Sequence, residues 1–429
     1  MEFIKYEKPI LGDSLPTSTG NSSNEYNHDT AGGPEPVDRV VEKKLVRKCD
    51  LHVLPVIAIL YSLAFVDRIN IGNARLQGLE KDLHMKGSDY NIALFVFFIP
   101  YILLEVPSNI LIRKIAPSTW LSLIMLFAYA LAHMAGVGGY DGWRWIFIIE
   151  GLLTIALAVP SKLFIVDWPE TAKFLSDEQR QLLLRRLSDD AAEAKMDRLD
   201  TKAKRRAFGD WKIYVGILMY LGVTNTGYSI SFFTPTILSQ LGWTAVRAQV
   251  LSIPIYVVAA AISLISAFLS DRLRHRYGFA MLGILVATIG YIILLAQHTV
   301  SVSIRYFAIY LIVAGGYITQ PLTLVWLANN MGGHYKRSIN AAMQIGFGNC
   351  AGIIASNIYL TAQRPTYKVG YGVSLGLLWL CGIACTAFFI GLLTENKKRS
   401  EGKRDYRLAL PKEEVENLGD DHPTFRFAY

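Results

Sequence analysis

NIALFVFFIPYILLEVPSNILI, residues 91–112, decides how the rest of the chain is read. Its roughly twenty apolar residues, at about 1.5 Å of rise each, suffice to cross a bilayer core of about 30 Å. One carboxylate, Glu105, lies inside the run, four residues before Asn109, so the two share a helical face. Pro100 and Pro107 each remove a backbone donor from the same segment. A charge at that depth costs about 2.5–3.5 kcal/mol on insertion scales, so residues carrying one usually face a bundle interior or a wet cavity. A helix that is apolar outside and acidic inside is the mark of a conduit.

The whole chain fits that setting. Of its 429 residues 52% are hydrophobic and only 18% charged, with a mean hydropathy of +0.30. Soluble domains carry more charge, about 25%, and shorter apolar runs. The net charge of +8 does not signal nucleic acid. Most Lys and Arg sit in short clusters between apolar runs, where they set orientation in a lipid bilayer. Four cysteines (49, 350, 381 and 385) make no disulfide framework, and three of them fall inside apolar runs as small core residues. Residues 1–40 are polar, without the apolar core of a cleavable signal, so the first span is expected to act as its own insertion signal.

Ten spans are expected: 51–70, 91–112, 120–137, 145–166, 211–240, 250–269, 279–297, 304–328, 339–360 and 372–393. With the N-terminus inside, Arg113-Lys114, the basic segment up to Arg206, Arg272/Arg274/Arg276, Lys336-Arg337 and Lys397-Lys398-Arg399 all fall on the inner side. The short outer loops near 138–141, 242–244 and 298–301 carry almost no positive charge; only the mixed loop after the first span departs from the rule. The chain therefore reads as an all-α polytopic membrane protein, with both termini cytoplasmic. Residues 1–49 are a disordered cytoplasmic tail, 50–166 a first transmembrane group, 167–210 a cytoplasmic insert, 211–396 a group of six spans, and 397–429 a second cytoplasmic tail. In the insert, Ser176-Asp177-Glu178-Gln179 has the pattern of a capping box, and Leu182, Leu183, Leu184 and Leu187 recur at helical spacing. That helix reads equally as one lying on the inner membrane surface or as a solvated linker.

Polar residues within the spans are the candidates for chemistry. Glu105 is the main coupling candidate, because a desolvated carboxylate has a raised pKa and can cycle between charged and neutral forms; the alternative is a structural Glu bonded to a neighbouring helix. Asp67 and Arg68 end the first span as a charge pair, with Asn70 on the Asp67 face; they read as a proton or carboxylate relay or as a snorkelling rim pair. Glu150, beside Gly151, is a third acid in an apolar run. Asn225, Tyr228 and Phe232 recur at i, i+3, i+7, a face that suits a flat heterocyclic or aryl acid, or plain packing. Gly315-Gly316-Tyr317-Ile318-Thr319-Gln320-Pro321 is expected to interrupt its span and to offer Gln320 to a cavity. Asn340 and Gln344 form a further polar i, i+4 pair, and Gly348 and Gly352 have the spacing of close helix contact. The eight His lack ligand spacing, and no phosphate-binding loop or nucleophile elbow occurs. The expectation is therefore no enzyme, no metal and no cofactor, with an ion gradient as the energy source.

Several stretches together resemble a known family. They are FVDRINIGNARLQG (65–78), FIPYILLEVPSNILIRKIAPSTWL (98–121), GVGGYDGWRWIFIIEG (136–151), DWPETAKFL (167–175) and SDRLRHRYG (270–278). They are similar to the fungal anion:cation symporter branch of the major facilitator superfamily, the allantoate and nicotinate permease type, over nearly all of residues 40–400. The last stretch, with Asp271, Arg272, Arg274 and Arg276, is the loop motif shared by the whole superfamily. The resemblance implies two six-helix bundles, a substrate site near the midplane and alternating access by rocking. It also exposes a shortfall. Only four spans precede the insert where the family carries six, and WLSLIML (120–126) runs directly into FAYALAHMAGVGG (127–139). About two spans are thus expected to be missing near Phe127, which leaves ten as four plus six. The function so implied is proton-coupled uptake of a small organic anion by a monomeric carrier in a fungal plasma membrane. Export of a secondary metabolite, and a transport-inactive shortened form or nutrient-sensing receptor, are the alternatives.

Overall fold

The computed structural model describes residues 39–76, 79–96, 98–100, 102, 144, 148, 151–152, 155–156, 165, 172–192, 201–364, 366–415 and 417–429. The described chain is helical almost throughout. Its principal helices are α1 (Arg39–Leu76), α2 (Asp89–Val96), α3 (Asp177–Ala192), α4 (Trp211–Gln240) and α5 (Ala245–Leu273). They continue as α6 (Arg276–Leu295), α7 (Val302–Asn329), α8 (His334–Gly348), α9 (Cys350–Ile358) and α10 (Lys368–Ser400).

Helix α4 is the axis of the second half. Asp210 caps it, accepting from the Lys212 amide at 3.0 Å, and it runs for 30 residues through Pro235. It packs against α1, α5, α7, α8, α9 and α10. Its middle is unusually polar, yet Thr224, Asn225, Thr226, Ser229, Ser231, Thr234 and Thr236 are all buried. Helix α5 is the opposite case: Val257, Leu264, Ile265 and Phe268 are exposed apolar side chains, as a lipid-facing surface requires. Among the described residues, four helices are long and apolar enough to cross a membrane: Val250–Leu273, Arg276–Leu295, Val302–Asn329 and Lys368–Ser400. The polar core of α4 lowers its hydropathy without shortening it.

Helices α6 and α7 approach closely because both carry glycine at the contact. A Cβ on Gly283 would lie 2.7 Å from the Gly315 carbonyl, and one on Gly290 would lie 2.6 Å from that of Ala308. The Thr319 hydroxyl lies 3.1 Å from the Ala280 carbonyl across the same seam. Gly315→Val is expected to force the pair apart, at a cost of roughly 1–3 kcal/mol or more, because backbone cannot rotate out of the way. A drop in the detergent-solubilised protein's Tm, with no such drop for Gly376→Val, checks it; a Cβ at Gly376 meets nothing within 4 Å.

Two expectations about helix continuity need correcting. The glycine-rich stretch does not interrupt its span: α7 is continuous from Val302 to Asn329 through Gly315, Gly316 and Pro321. Pro321 lacks the amide that would bond the Tyr317 carbonyl, and the Ser263 hydroxyl of α5 supplies that donor at 2.8 Å. The span expected at 339–360 is instead two helices, α8 and α9, joined at Asn349. At that joint the Gly352 amide bonds the Asn349 carbonyl at 2.8 Å, an i to i+3 pairing tighter than the α-helical one.

The insert helix α3 starts on the expected capping box. The Gln179 amide donates to Ser176 Oγ at 3.3 Å, and the Ser176 amide to Gln179 Oε1 at 3.4 Å. Leu182 and Leu183 pack on a small cluster of Leu45, Cys49, Ala172 and Leu175, and Arg186 pairs with Glu42 at 2.9 Å. α3 is thereby docked on the basic end of α1.

The segment after α10 is folded, too. α10 runs to Ser400, and residues 405–429 turn back across the ends of the helices, burying Leu418, Asp420 and Phe427.

Candidate functional site

The polar strip of α4 is the part of the described fold that an apolar bundle does not need. Burying a hydroxyl or amide costs free energy unless it is bonded, so each member must be accounted for. Asn225 Nδ2 donates to Ser374 Oγ of α10 at 3.1 Å. Ser229 Oγ and the Tyr359 hydroxyl lie 3.4 and 3.3 Å from the same Ser374 oxygen. Tyr291 of α6 donates to Thr226 Oγ1 at 3.2 Å. A buried polar network thus joins the middle of α4 to the last turns of α6, the end of α9 and the second turn of α10. It is not saturated: Asn225 Oδ1 and Thr224 Oγ1 are buried without a hydrogen-bond partner.

Tyr228 and Phe232, further along the same face of α4, meet a different set of neighbours. Their rings stack on each other at 5.7 Å, and Phe98 meets them edge-on at 4.9 and 6.2 Å. The Tyr228 hydroxyl donates to Asn349 Oδ1 at 2.7 Å, at the joint between α8 and α9. Phe98 belongs to the Glu105 stretch and enters because Gly352 has no side chain in its way. Asn91 Nδ2 also donates to the Ser356 carbonyl. Here the N-terminal segment and the second half meet. Gly348 and Gly352 therefore each receive an aromatic ring, of Tyr220 and Phe98 respectively, rather than a second backbone.

Gln320 is half-buried, its Oε1 3.4 Å from where a Cβ on Gly227 would lie, so it approaches the centre of α4 from α7. Gln344 is buried and its Nε2 lies 3.3 Å from the carbonyls of Gly216 and Thr323, tying α8 to α4 and α7. Asn340, one turn earlier, is 1% exposed and neither polar atom of its side chain has a partner. Asp67, Arg68 and Asn70 lie on α1, their side chains outside the described residues, and Glu105, Asn109 and Glu150 are outside them altogether. In the loop motif, Arg276 is buried and pairs with Asp271 at 3.0 Å, while Arg272 and Arg274 are exposed. The sequence reading missed Ser374, Tyr359, Tyr291 and Asn349. Ser374 and Asn349 could have been found as isolated polar residues in apolar runs; the tyrosines read only as packing.

The arrangement is that of a membrane-embedded helical carrier: lipid-facing apolar helices around a buried, incompletely satisfied polar centre. The Major Facilitator Superfamily profile matches residues 126–356. An uncharacterized transporter of Schizosaccharomyces pombe is 32% identical, covering 83% of this chain and 85% of that protein. A second from the same yeast is 31% identical over 91% of each. The high-affinity nicotinic acid transporter of Saccharomyces cerevisiae is 25% identical, over 94% of this chain and 87% of that one. The chain belongs to the major facilitator superfamily, and it is a transporter rather than an enzyme. The alignments share one more property. That with the second yeast protein extends over 461 positions but takes in 91% of 429 residues, roughly 390, so about 70 positions have no residue in this chain. The same reckoning for the nicotinic acid transporter, 476 positions against 94% of the chain, again leaves about 70.

Proposed function

We propose that the chain is a proton-coupled carrier for uptake of a small organic anion, an aromatic or heterocyclic monocarboxylate such as nicotinate. The likeness to the nicotinic acid transporter favours that substrate class. The observation that carries the reading is the buried amide and hydroxyl strip of α4, with Asn225 Oδ1 and both polar atoms of Asn340 left to bond something other than neighbouring side chains. In this reading Glu105 carries the proton, Asp67, Arg68, Asn70, Asn109 and Glu150 serve the entry path, and Asn225, Gln320 and Asn340 face the substrate. Residues 50–166 and 211–396 are the two moving halves, in the plasma membrane, with both termini cytoplasmic. The carrier works as a monomer.

One observation favours a second reading. About 70 positions of the relatives are absent here, room for two spans of roughly 20 residues with their connections. The family profile also begins its match at residue 126, beside the junction at Phe127. A shortened, transport-inactive form has that signature. Uptake of labelled nicotinate by transporter-null yeast expressing the chain separates the two. Accumulation that an uncoupler abolishes supports the carrier. A chain that reaches the plasma membrane without raising uptake supports the shortened form.

A further inference from the structure

Residues 417–429 of the same chain lie across the ends of five helices, α4, α6, α7, α8 and α10. Recognition is by backbone and by charge. Asn396 of α10 takes both main-chain groups of Phe427: its Nδ2 donates to the carbonyl and its Oδ1 accepts from the amide, each at 2.9 Å. Asn330, at the end of α7, does the same for Ala428, at 3.0 and 2.8 Å. Trp326 Nε1 adds a second donor to the Ala428 carbonyl at 2.9 Å, and the Arg276 amide of α6 donates to the Tyr429 carbonyl at 2.8 Å. Two successive residues are thus each held on both backbone groups by a side-chain amide, the way an extended ligand strand is held.

The charges are as specific. Asp420 is fully buried, and its carboxylate accepts from Lys212 at the start of α4 and from Lys336 of α8 at 2.9 Å. It also accepts from the Gly332 amide at 3.1 Å. Asp210 bonds Lys336 at 2.6 Å and lies 3.3 Å from Lys212, so two buried ammonium groups face two carboxylates, one of them contributed by the tail. Arg399 of α10 donates to the carbonyls of Asp420 and Phe425, each at 2.8 Å, and to that of His422 at 3.2 Å. Its guanidinium also stacks on the Phe427 ring, which Lys212 approaches at 4.3 Å.

We propose that residues 417–429 are the resident ligand of a peptide-binding surface and act as a strap, joining the ends of these five helices so that the half moves as one body. The physical reason is charge. With the tail away, Lys212 and Lys336 share Asp210 alone, and one buried positive charge has no counterpart. The helix starts of α4 and α8 then lose the group that holds them together. The strap would serve whatever the substrate and whichever the direction of transport.

Hydrogen exchange on the full-length protein in detergent tests it, comparing wild type with Asp420→Ala and with Asn396→Ala. The second variant keeps the charge cluster and covers the case in which the first does not fold. In wild type the amides of Phe427 and Ala428 are expected to be protected. In either variant they exchange at least about tenfold faster, and so do the first turn of α8 and the last turn of α10, while α5 is unchanged. Tail amides in wild type that exchange like a free peptide would overturn the docking. Variants that free the tail yet leave the ends of α8 and α10 as protected as before would overturn the strap.

Discussion

Glu105→Gln is expected to abolish gradient-driven accumulation while leaving insertion and surface abundance unchanged. Glutamine keeps the size of the side chain and much of its hydrogen bonding, so packing around residues 91–112 changes little. It cannot take up or release a proton. In a carrier whose energy comes from a proton gradient, one group must change charge between the outward- and inward-open forms, and a carboxylate in an apolar span is suited to it because burial favours its neutral state. Asp67→Asn, at the rim, should lower accumulation only in part. Initial uptake against exchange in preloaded cells separates the roles: Glu105→Gln should lose net accumulation and retain exchange of labelled for unlabelled substrate. Full accumulation by this variant would remove Glu105 from coupling.

The second large effect is on stability. Lys336→Ala is expected to cost about 3–5 kcal/mol, the range for removing one member of a buried ion cluster. What remains is Lys212 against two carboxylates, Asp210 and Asp420, in a site where Asp420 is fully buried and Lys336 is 2% exposed. In a chain of this size that corresponds to a Tm lower by about 5 °C or more. The sign with pH is also fixed. Burial opposes the charge on Asp420, but Lys212 and Lys336 overcome it and hold the carboxyl well below the ordinary carboxylate range. Burial likewise opposes the Lys336 charge, and Asp420 and Asp210 overcome that, raising it above the ordinary lysine value. The depressed acid contributes fully above an unfolded pKa of about 3.9 and the raised base fully below one of about 10.4, each losing its share only beyond those limits. The Tm deficit of Lys336→Ala should therefore be equal at pH 6 and pH 8. A deficit that vanishes at either pH would show that another group titrates in the cluster.

How much of this could be read from the sequence follows from which interactions are local. Helix α4 is at 211–240 in both sequence and structure, because Asp210 caps it and Leu241-Gly242 ends it within a residue or two. The capping box at Ser176 was equally local. The docked tail was not legible, because DDHPTFRFAY looks like any polar segment until Asn330, Asn396 and Lys336, drawn from three helices, converge on it. Pro321 was misread for a related reason: the donor that repairs the helix, Ser263, is 54 residues from the Tyr317 carbonyl it bonds. In the candidate site, Asn225 was legible as an amide in a membrane helix, but its partner Ser374 is 149 positions on. The face shared by Tyr228 and Phe232 was legible as a stripe, while its contact with Phe98 depends on the bareness of Gly352.

In the proposed cycle organic anion and proton cross together. The direct measurement is external pH in a weakly buffered suspension of transporter-null yeast expressing the chain, recorded as nicotinate is added. Alkalinisation of the medium is expected to follow the added substrate and to be absent with Glu105→Gln. Nicotinate entry with no accompanying proton uptake would contradict it.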